Sequence, residues 1–219
     1  MLICSAPRIS RILIGTLLIL AGFTVTAQAQ FEEPIGRFVI DARGSFVPFG
    51  KNVDLAAARN LAPTDTPSIG LGFDIGAHYY FFRWRVITFG IGANIHKSFG
   101  DQSPSEIDQN LSAPTLRKTF TAVSPQISFN FGNRNGWSYI SGGIGTSKLA
   151  LFPLNEDAPN QRATSTINYG GGARWFLNER VAFSLDLRFY AGSPLTATST
   201  EPASPRVTTT VASAGVSFK

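Results

Sequence analysis

The chain has 219 residues, enough for one domain, and only 15% of them are charged, against roughly 25% in ordinary soluble domains. Its 18 phenylalanines, together with abundant Val, Ile and Thr, exclude an intrinsically disordered chain. A formal net charge of +5, scattered along the sequence, is too weak a basic signal for a nucleic-acid binder, and no nucleic-acid partner is expected.

The first stretch carries Arg8 and Arg11, then an apolar run from Ile12 to Phe23, then Ala-Gln-Ala at 27–29. A basic start, a short apolar core and a small-x-small site are the marks of a cleaved secretory signal peptide. The run is too short for a membrane-spanning helix, which needs about 20 apolar residues. Cleavage is expected after Ala29, with Ala27 as the alternative. The chain then divides into a signal peptide over 1–29 and one domain over 30–219. Removing the signal takes two arginines and no acid, so the net charge falls to +3, and it takes Cys4, the only cysteine. An exported protein without cysteine has no disulfides and must be held by packing or by a membrane. With no Cys cluster and two histidines, no metal and no other cofactor is expected.

From residue 37 onward the hydrophobic period is two. The first strand, Arg37–Val47, sets Phe38, Ile40, Ala42 and Phe46 against Arg37, Asp41, Arg43 and Ser45. The second, Ser68–Phe82, sets Ile69, Leu71, Phe73, Ile75, Tyr79 and Phe81 against glycines, Asp74 and His78. The third, Arg85–Ser98, opposes Ile87, Phe89, Ile91 and Ile95 to Thr88, Gly90, Gly92, Asn94 and His96. The fourth runs from about Leu116 to Phe131 with Pro125 inside it, where a bulge is expected, since proline removes a ladder hydrogen bond. The fifth begins at Trp137 and is blurred by glycine. The sixth, Ser165–Leu177, places Asn168 and Arg174 on the polar parity. The seventh, Val181–Tyr190, alternates Val181, Phe183, Leu185, Leu187 and Phe189 with Asp186 and Arg188. The eighth closes the chain at Phe218 and Lys219. No helix of useful length is expected.

The connections after the first, third, fifth and seventh strands are long, roughly fifteen to twenty residues, where hairpin loops usually take two to five. Most of the prolines gather there. Those after the second, fourth and sixth are tight: Arg83–Arg85, Asn133–Gly136 and Asn178–Arg180. Eight strands with long loops at one end and short turns at the other predict an all-β, eight-stranded antiparallel up-and-down transmembrane β-barrel.

Alternation alone does not say which face points out. A secreted, lipocalin-like binder of hydrophobic ligands would line its cavity with the apolar face. Three features point the other way. The polar parity is Gly, Ser, Thr and Asn rather than the Lys and Glu of a wet sheet. The strands are long enough to span a bilayer at a tilt. Aromatics crowd the short-turn end (Tyr79, Tyr80, Phe81, Phe82, Trp84, Trp137, Tyr139, Trp175, Phe176), as an interfacial girdle would require.

The interior then holds Asp41, Asp74 and Asp186 against Arg43, Arg174 and Arg188, with Asn94 and His96 beside them. This is a structural polar network that must pair to avoid a large desolvation cost. A three-residue turn Asn178–Arg180 makes Leu177 face Val181 and Arg174 face Ser184, leaving Asp186 diagonal to Arg174. The same logic at Arg83–Arg85 sets Asp74 opposite Asn94 and diagonal to His96. An eight-stranded interior has room for side chains and none for a water-filled channel.

The segment Asn168–Tyr190, a Gly-rich strand ending in Arg-aromatic-aromatic, a tight turn and an Asp-x-Arg strand, resembles the penultimate hairpin of small bacterial outer-membrane barrels of the OmpA-like and OmpX-like group. The glycine-alternating stretch at 138–149 is similar to a strand common in that group. The resemblance implies a monomer in the bacterial outer membrane, surrounded by lipid and lipopolysaccharide and inserted by the barrel-assembly machinery. It implies no catalytic residue by default. The C-terminal aromatic read as an insertion signal would be Phe218, although Lys219 follows it where the group usually ends on the aromatic residue. No peptidoglycan-binding domain of the full OmpA type is expected.

One alternative is enzymatic. Some outer-membrane barrels are lipid A deacylases built on His-x-Ser, and His96 and Ser98 have that spacing. Nucleophilic catalysis needs Ser, His and a carboxylate in line, on the lipid-facing side where the acyl chain lies. Parity puts both residues inside. The glycine runs at 90–92 and 170–172 are not nucleotide loops, since no helix follows them. The expected role is a structural or surface-interaction one, with the long loops carrying any binding.

Overall fold

Eight antiparallel strands close on themselves, each paired with its sequence neighbours and β1 with β8. They are β1 (Phe38–Pro48), β2 (Ile69–Trp84), β3 (Ile87–Gln102), β4 (Leu116–Asn133), β5 (Gly136–Pro153), β6 (Thr164–Phe176), β7 (Val181–Gly192) and β8 (Thr208–Phe218). The computed structural model describes residues 33–58, 61–103, 114–155, 162–199 and 203–219. The signal peptide expected over 1–29 lies outside the described residues. The closing seam runs in register from Ile40↔Phe218 to Phe46↔Ala212.

The two parities separate cleanly. Phe73, Ile91 and Leu187 are each about half exposed on the outer wall, while Asp41, Arg174 and Arg188 are almost wholly buried inside. This is the inverse of a lipocalin-like barrel, whose apolar face lines the cavity. Outside, aromatic side chains pair across strands, as in Phe89 against Phe129 at 5.3 Å and Tyr169 against Phe189 at 5.3 Å.

Four details depart from the sequence expectations. The turn after β2 is a two-residue turn at Arg85–Val86, with a bulge upstream: Tyr80 pairs Gly90, Phe82 pairs Phe89, and Phe81 is the extra residue. The bulge keeps Phe81 and Phe82 both on the outer wall. Pro125 causes no bulge. It pairs Ala93 in β3, and the β4–β5 ladder lapses from Ser124 to Gln126 and resumes in unchanged register. Gly143 and Gly145 stand opposite this lapse, and a Cβ at Gly143 would lie 2.0 Å from the Pro125 carbonyl. Third, the first long connection contains a short helix, α1 (Val53–Ala57), capped by Asn52 Oδ1 on the Leu55 amide at 2.9 Å, and a 3-10 turn at Pro63–Asp65. Fourth, the aromatic girdle divides. Tyr79, Phe81, Phe82, Trp84 and Trp175 are on the outer wall, whereas Tyr80, Trp137 and Tyr139 are buried inside and Phe176 packs against them.

The other tight turns follow the expected chemistry. Asn178 Oδ1 accepts from the amides of Arg180 (2.9 Å) and Val181 (2.8 Å), and the Leu177 amide donates to the Val181 carbonyl. This is the register expected from a turn at Asn178–Arg180, with Arg174 facing Ser184.

Gly143→Val should force the β4 and β5 backbones apart and destabilise the barrel by about 2 kcal/mol, while Ile144→Val on the outer wall should cost under about 1 kcal/mol. Urea unfolding of the two variants in detergent checks this; equal midpoints would contradict the close approach.

Candidate functional site

The interior has three layers. At the short-turn end Ile35, Val39, Tyr80, Trp137 and Tyr139 form an apolar cluster with Phe176 against it. At the long-loop end Val47, Phe49, Phe120, Ala122, Tyr190 and Val211 form another. The charges lie between them. Small residues make this filling fit: a Cβ on Gly90 would strike the Tyr80 ring at 2.6 Å, and one on Gly172 would meet the Tyr139 hydroxyl at 2.7 Å.

Arg43 on β1 is the hub of the charged layer. Its guanidinium lies 2.5 Å from Asp41, 3.1 Å from Asp74 and 3.6 Å from Asp186. Arg174 on β6 reaches across the lumen to Asp41 with two bonds, at 2.9 and 2.6 Å, and lies over the Tyr139 ring at 4.3 Å. Asp41 also accepts from Ser217 Oγ at 2.5 Å and has His78 Nε2 at 3.2 Å. Arg188 on β7 holds Asp186 at 3.0 and 3.2 Å. Its other donors reach Gln126 at 2.5 Å, Asn168 at 3.2 Å and Ser141 at 2.9 Å. Tyr139 donates to Asp186 at 2.6 Å. The bonds from Gln126 to Asn94 (2.6 Å) and from Asn94 to both oxygens of Asp74 (3.1 Å each) return the network to Arg43.

All eight residues singled out from the sequence lie inside; one expected contact is not made, and another is made from a different register. Asp186 is not the partner of Arg174, which crosses the lumen to Asp41 instead. Asp74 stands opposite His96 rather than Asn94, which bonds it from the diagonal: the turn at Arg85–Val86 moves the β2–β3 register by three residues from that of an Arg83–Arg85 turn, and the bulge takes one back. His96 bonds Ser98 Oγ at 3.2 Å and packs against the Phe120 and Tyr190 rings. Sequence reasoning missed Lys118, buried over the Phe49 ring at 5.0 Å, and it missed the roles of Gln126, Tyr139 and His78. The inward parity of His78 and Gln126 was legible but not their partners, while glycine blurred the parity of Tyr139.

The His96–Ser98 pair has the hydrogen bond that a nucleophile and base need, but both side chains are fully buried on the inner parity. No carboxylate contacts His96 among the described residues. Among those residues there is also no group of His, Cys, Asp and Glu able to hold a metal. Phe218 projects outward at the short-turn end, paired with Ile40 and Val181. Lys219 turns back, donating to the Arg134 carbonyl at 2.7 Å over the Phe176 ring. Burial, and then the Arg134 guanidinium, hold its ammonium below the usual lysine value.

No family model matches the chain, and no curated protein matches it. Among solved structures it is similar to Neisserial surface protein A, at 12% identity over 83% of this chain and 96% of that one, with a TM-score of 0.51. It is also similar to the N-terminal β-barrel domain of Pseudomonas aeruginosa OprF, at 14% identity over 85% and 98% with a TM-score of 0.40. Ail of Yersinia pestis, crystallised with a heparin analogue, gives 13%, 83% and 96%, and 0.44. The first likeness shows the fold, a closed all-antiparallel eight-stranded barrel of the kind found in small outer-membrane proteins.

Arg174→Met should leave Asp41 short of a buried partner and cost about 3 kcal/mol, and adding Asp41→Asn should recover at least half of it. Urea unfolding of the two variants tests this coupling; additive losses would mean the two groups do not act as a pair.

Proposed function

We propose that this is a bacterial outer-membrane β-barrel protein with a structural or surface-interaction role, exported through a cleaved signal peptide over 1–29. The observation that carries the reading is the inverted barrel: an apolar outer wall around a charged, hydrogen-bonded interior. A surface of that extent is stable only against lipid. The two apolar clusters and the paired charges leave the interior filled, which supports a plug rather than a pore. Outward-facing Lys97, Thr121 and Lys148 share one register row in the long-loop half of the wall. Cations there suit the phosphates of lipopolysaccharide. Phe218 at the outer face of β8 suits recognition by the barrel-assembly machinery, and the chain is read as a monomer.

The role is read as non-enzymatic. The lipid A hydrolase alternative needs His96 and Ser98 at the lipid face with a carboxylate behind the histidine, and the buried pair supplies neither.

The protein should appear in the outer-membrane fraction and shift its electrophoretic mobility on boiling. A soluble, heat-insensitive protein would overturn the reading. Ser98→Ala should leave the acylation of lipid A in the host membrane unchanged, and a change would revive the hydrolase alternative.

A further inference from the structure

The charges of the wall ends are arranged unequally. Each of the three short turns and each described end of the wall carries a cation: Arg37 before β1, Arg83 and Arg85 at the first turn, Arg134 at the second, Arg180 at the third and Lys219 after β8. Facing these six are two carboxylates among the described residues, Glu33 and Glu179. Arg134 engages Glu33. Arg37, Arg83, Arg85 and Arg180 are exposed, and none has a carboxylate partner among the described residues. The long-loop end is balanced in sequence, with seven basic and eight acidic residues across 49–68, 97–117, 148–162 and 193–207.

The basic rim adjoins the outward aromatics. Trp84 and Trp175 are exposed on the outer wall at the short-turn end, and the Arg85 guanidinium lies 5.9 Å from the Trp84 ring. The cations therefore stand where headgroups would meet the apolar belt. Arg85 also holds a φ of 53°, the left-handed conformation that glycine or asparagine adopts at less cost in a two-residue hairpin turn. A long cationic side chain at a position that disfavours it points to a use for the side chain.

We infer that the short-turn rim is a docking surface for the phosphate headgroups of anionic phospholipids in the leaflet it faces. The inference rests on the membrane reading above. A ring of cations around the wall attracts such lipids from every side, by up to about fivefold per engaged cation at low salt. The ring orients the barrel by charge at one end, while the long-loop end is left to other partners.

The test is electron paramagnetic resonance of the folded protein in phosphatidylcholine nanodiscs, doped with spin-labelled phosphatidylglycerol or spin-labelled phosphatidylcholine. Wild type should immobilise the anionic label several-fold more strongly. The preference should fall toward equality in the combined R37Q, R83Q, R85Q and R180Q variant and in about 0.5 M salt. It should fall in R83Q with R180Q, which removes two rim cations, and persist in K51Q with R206Q, which removes two exposed cations at the other end. Arg85→Asn alone should raise stability by relieving the turn and still lower the preference, so loss of lipid selectivity is separated from loss of fold. Equal immobilisation of the two labels by wild type, or selectivity unchanged in the rim variant, would overturn the inference. Failure to immobilise either label would instead mean that the barrel does not sit in a bilayer, and would overturn the membrane reading itself.

Discussion

Three carboxylates buried in a narrow closed barrel are stable only if cations reach them, and Arg43 reaches all three. A carboxylate stripped of water costs several kcal/mol unless paired and hydrogen-bonded. That requirement sets the rest of the interior. Arg174 must cross the lumen, Arg188 must turn onto Asp186 of its own strand, Tyr139 and Ser217 must donate to the same acids, and glycines must clear space for the long side chains. The apolar clusters at both ends keep the ionic layer dry, which strengthens each pair within it.

The outer wall obeys the opposite rule. With each strand paired on both sides, save for the short β4–β5 lapse at Pro125, a closed sheet can present its apolar side chains to lipid without an exposed edge. One sequence periodicity serves both faces. In β7, Val181 to Phe189 are the wall and Asp186 and Arg188 are the filling.

The wall was largely readable from the residues alone. The alternation is plain in most strands, the turn residues at Asn178–Arg180 fix the β6–β7 register, and the inward parity of Asp41, Arg43, Asp74, Arg174, Asp186 and Arg188 followed. What escaped is physical in origin. Bulges add a residue without leaving a sequence mark, and the Phe81 insertion together with the turn displaced to Arg85–Val86 put His96 rather than Asn94 opposite Asp74. Proline at 125 was absorbed by an in-register lapse opposite glycines rather than by a bulge. The aromatic crowding at the short-turn end looked like one girdle, but parity sends Tyr80, Trp137 and Tyr139 inside. Pairing across a lumen joins residues such as Asp41 and Arg174 that are far apart in sequence and share no strand neighbour, and no local rule predicts it.

The central claim is that odd positions of Val181–Tyr190 face lipid and even ones face a filled interior. The chain has a single cysteine, Cys4, so with Cys4→Ser a spin label can be placed at one position at a time along this strand. Collision rates with oxygen, which concentrates in the bilayer, and with a water-soluble nickel complex then read each site in lipid vesicles. The account predicts high oxygen and low nickel accessibility at 183, 185 and 187, and low accessibility to both at 184, 186 and 188. Nickel access at the odd positions, or no alternation at all, would contradict it.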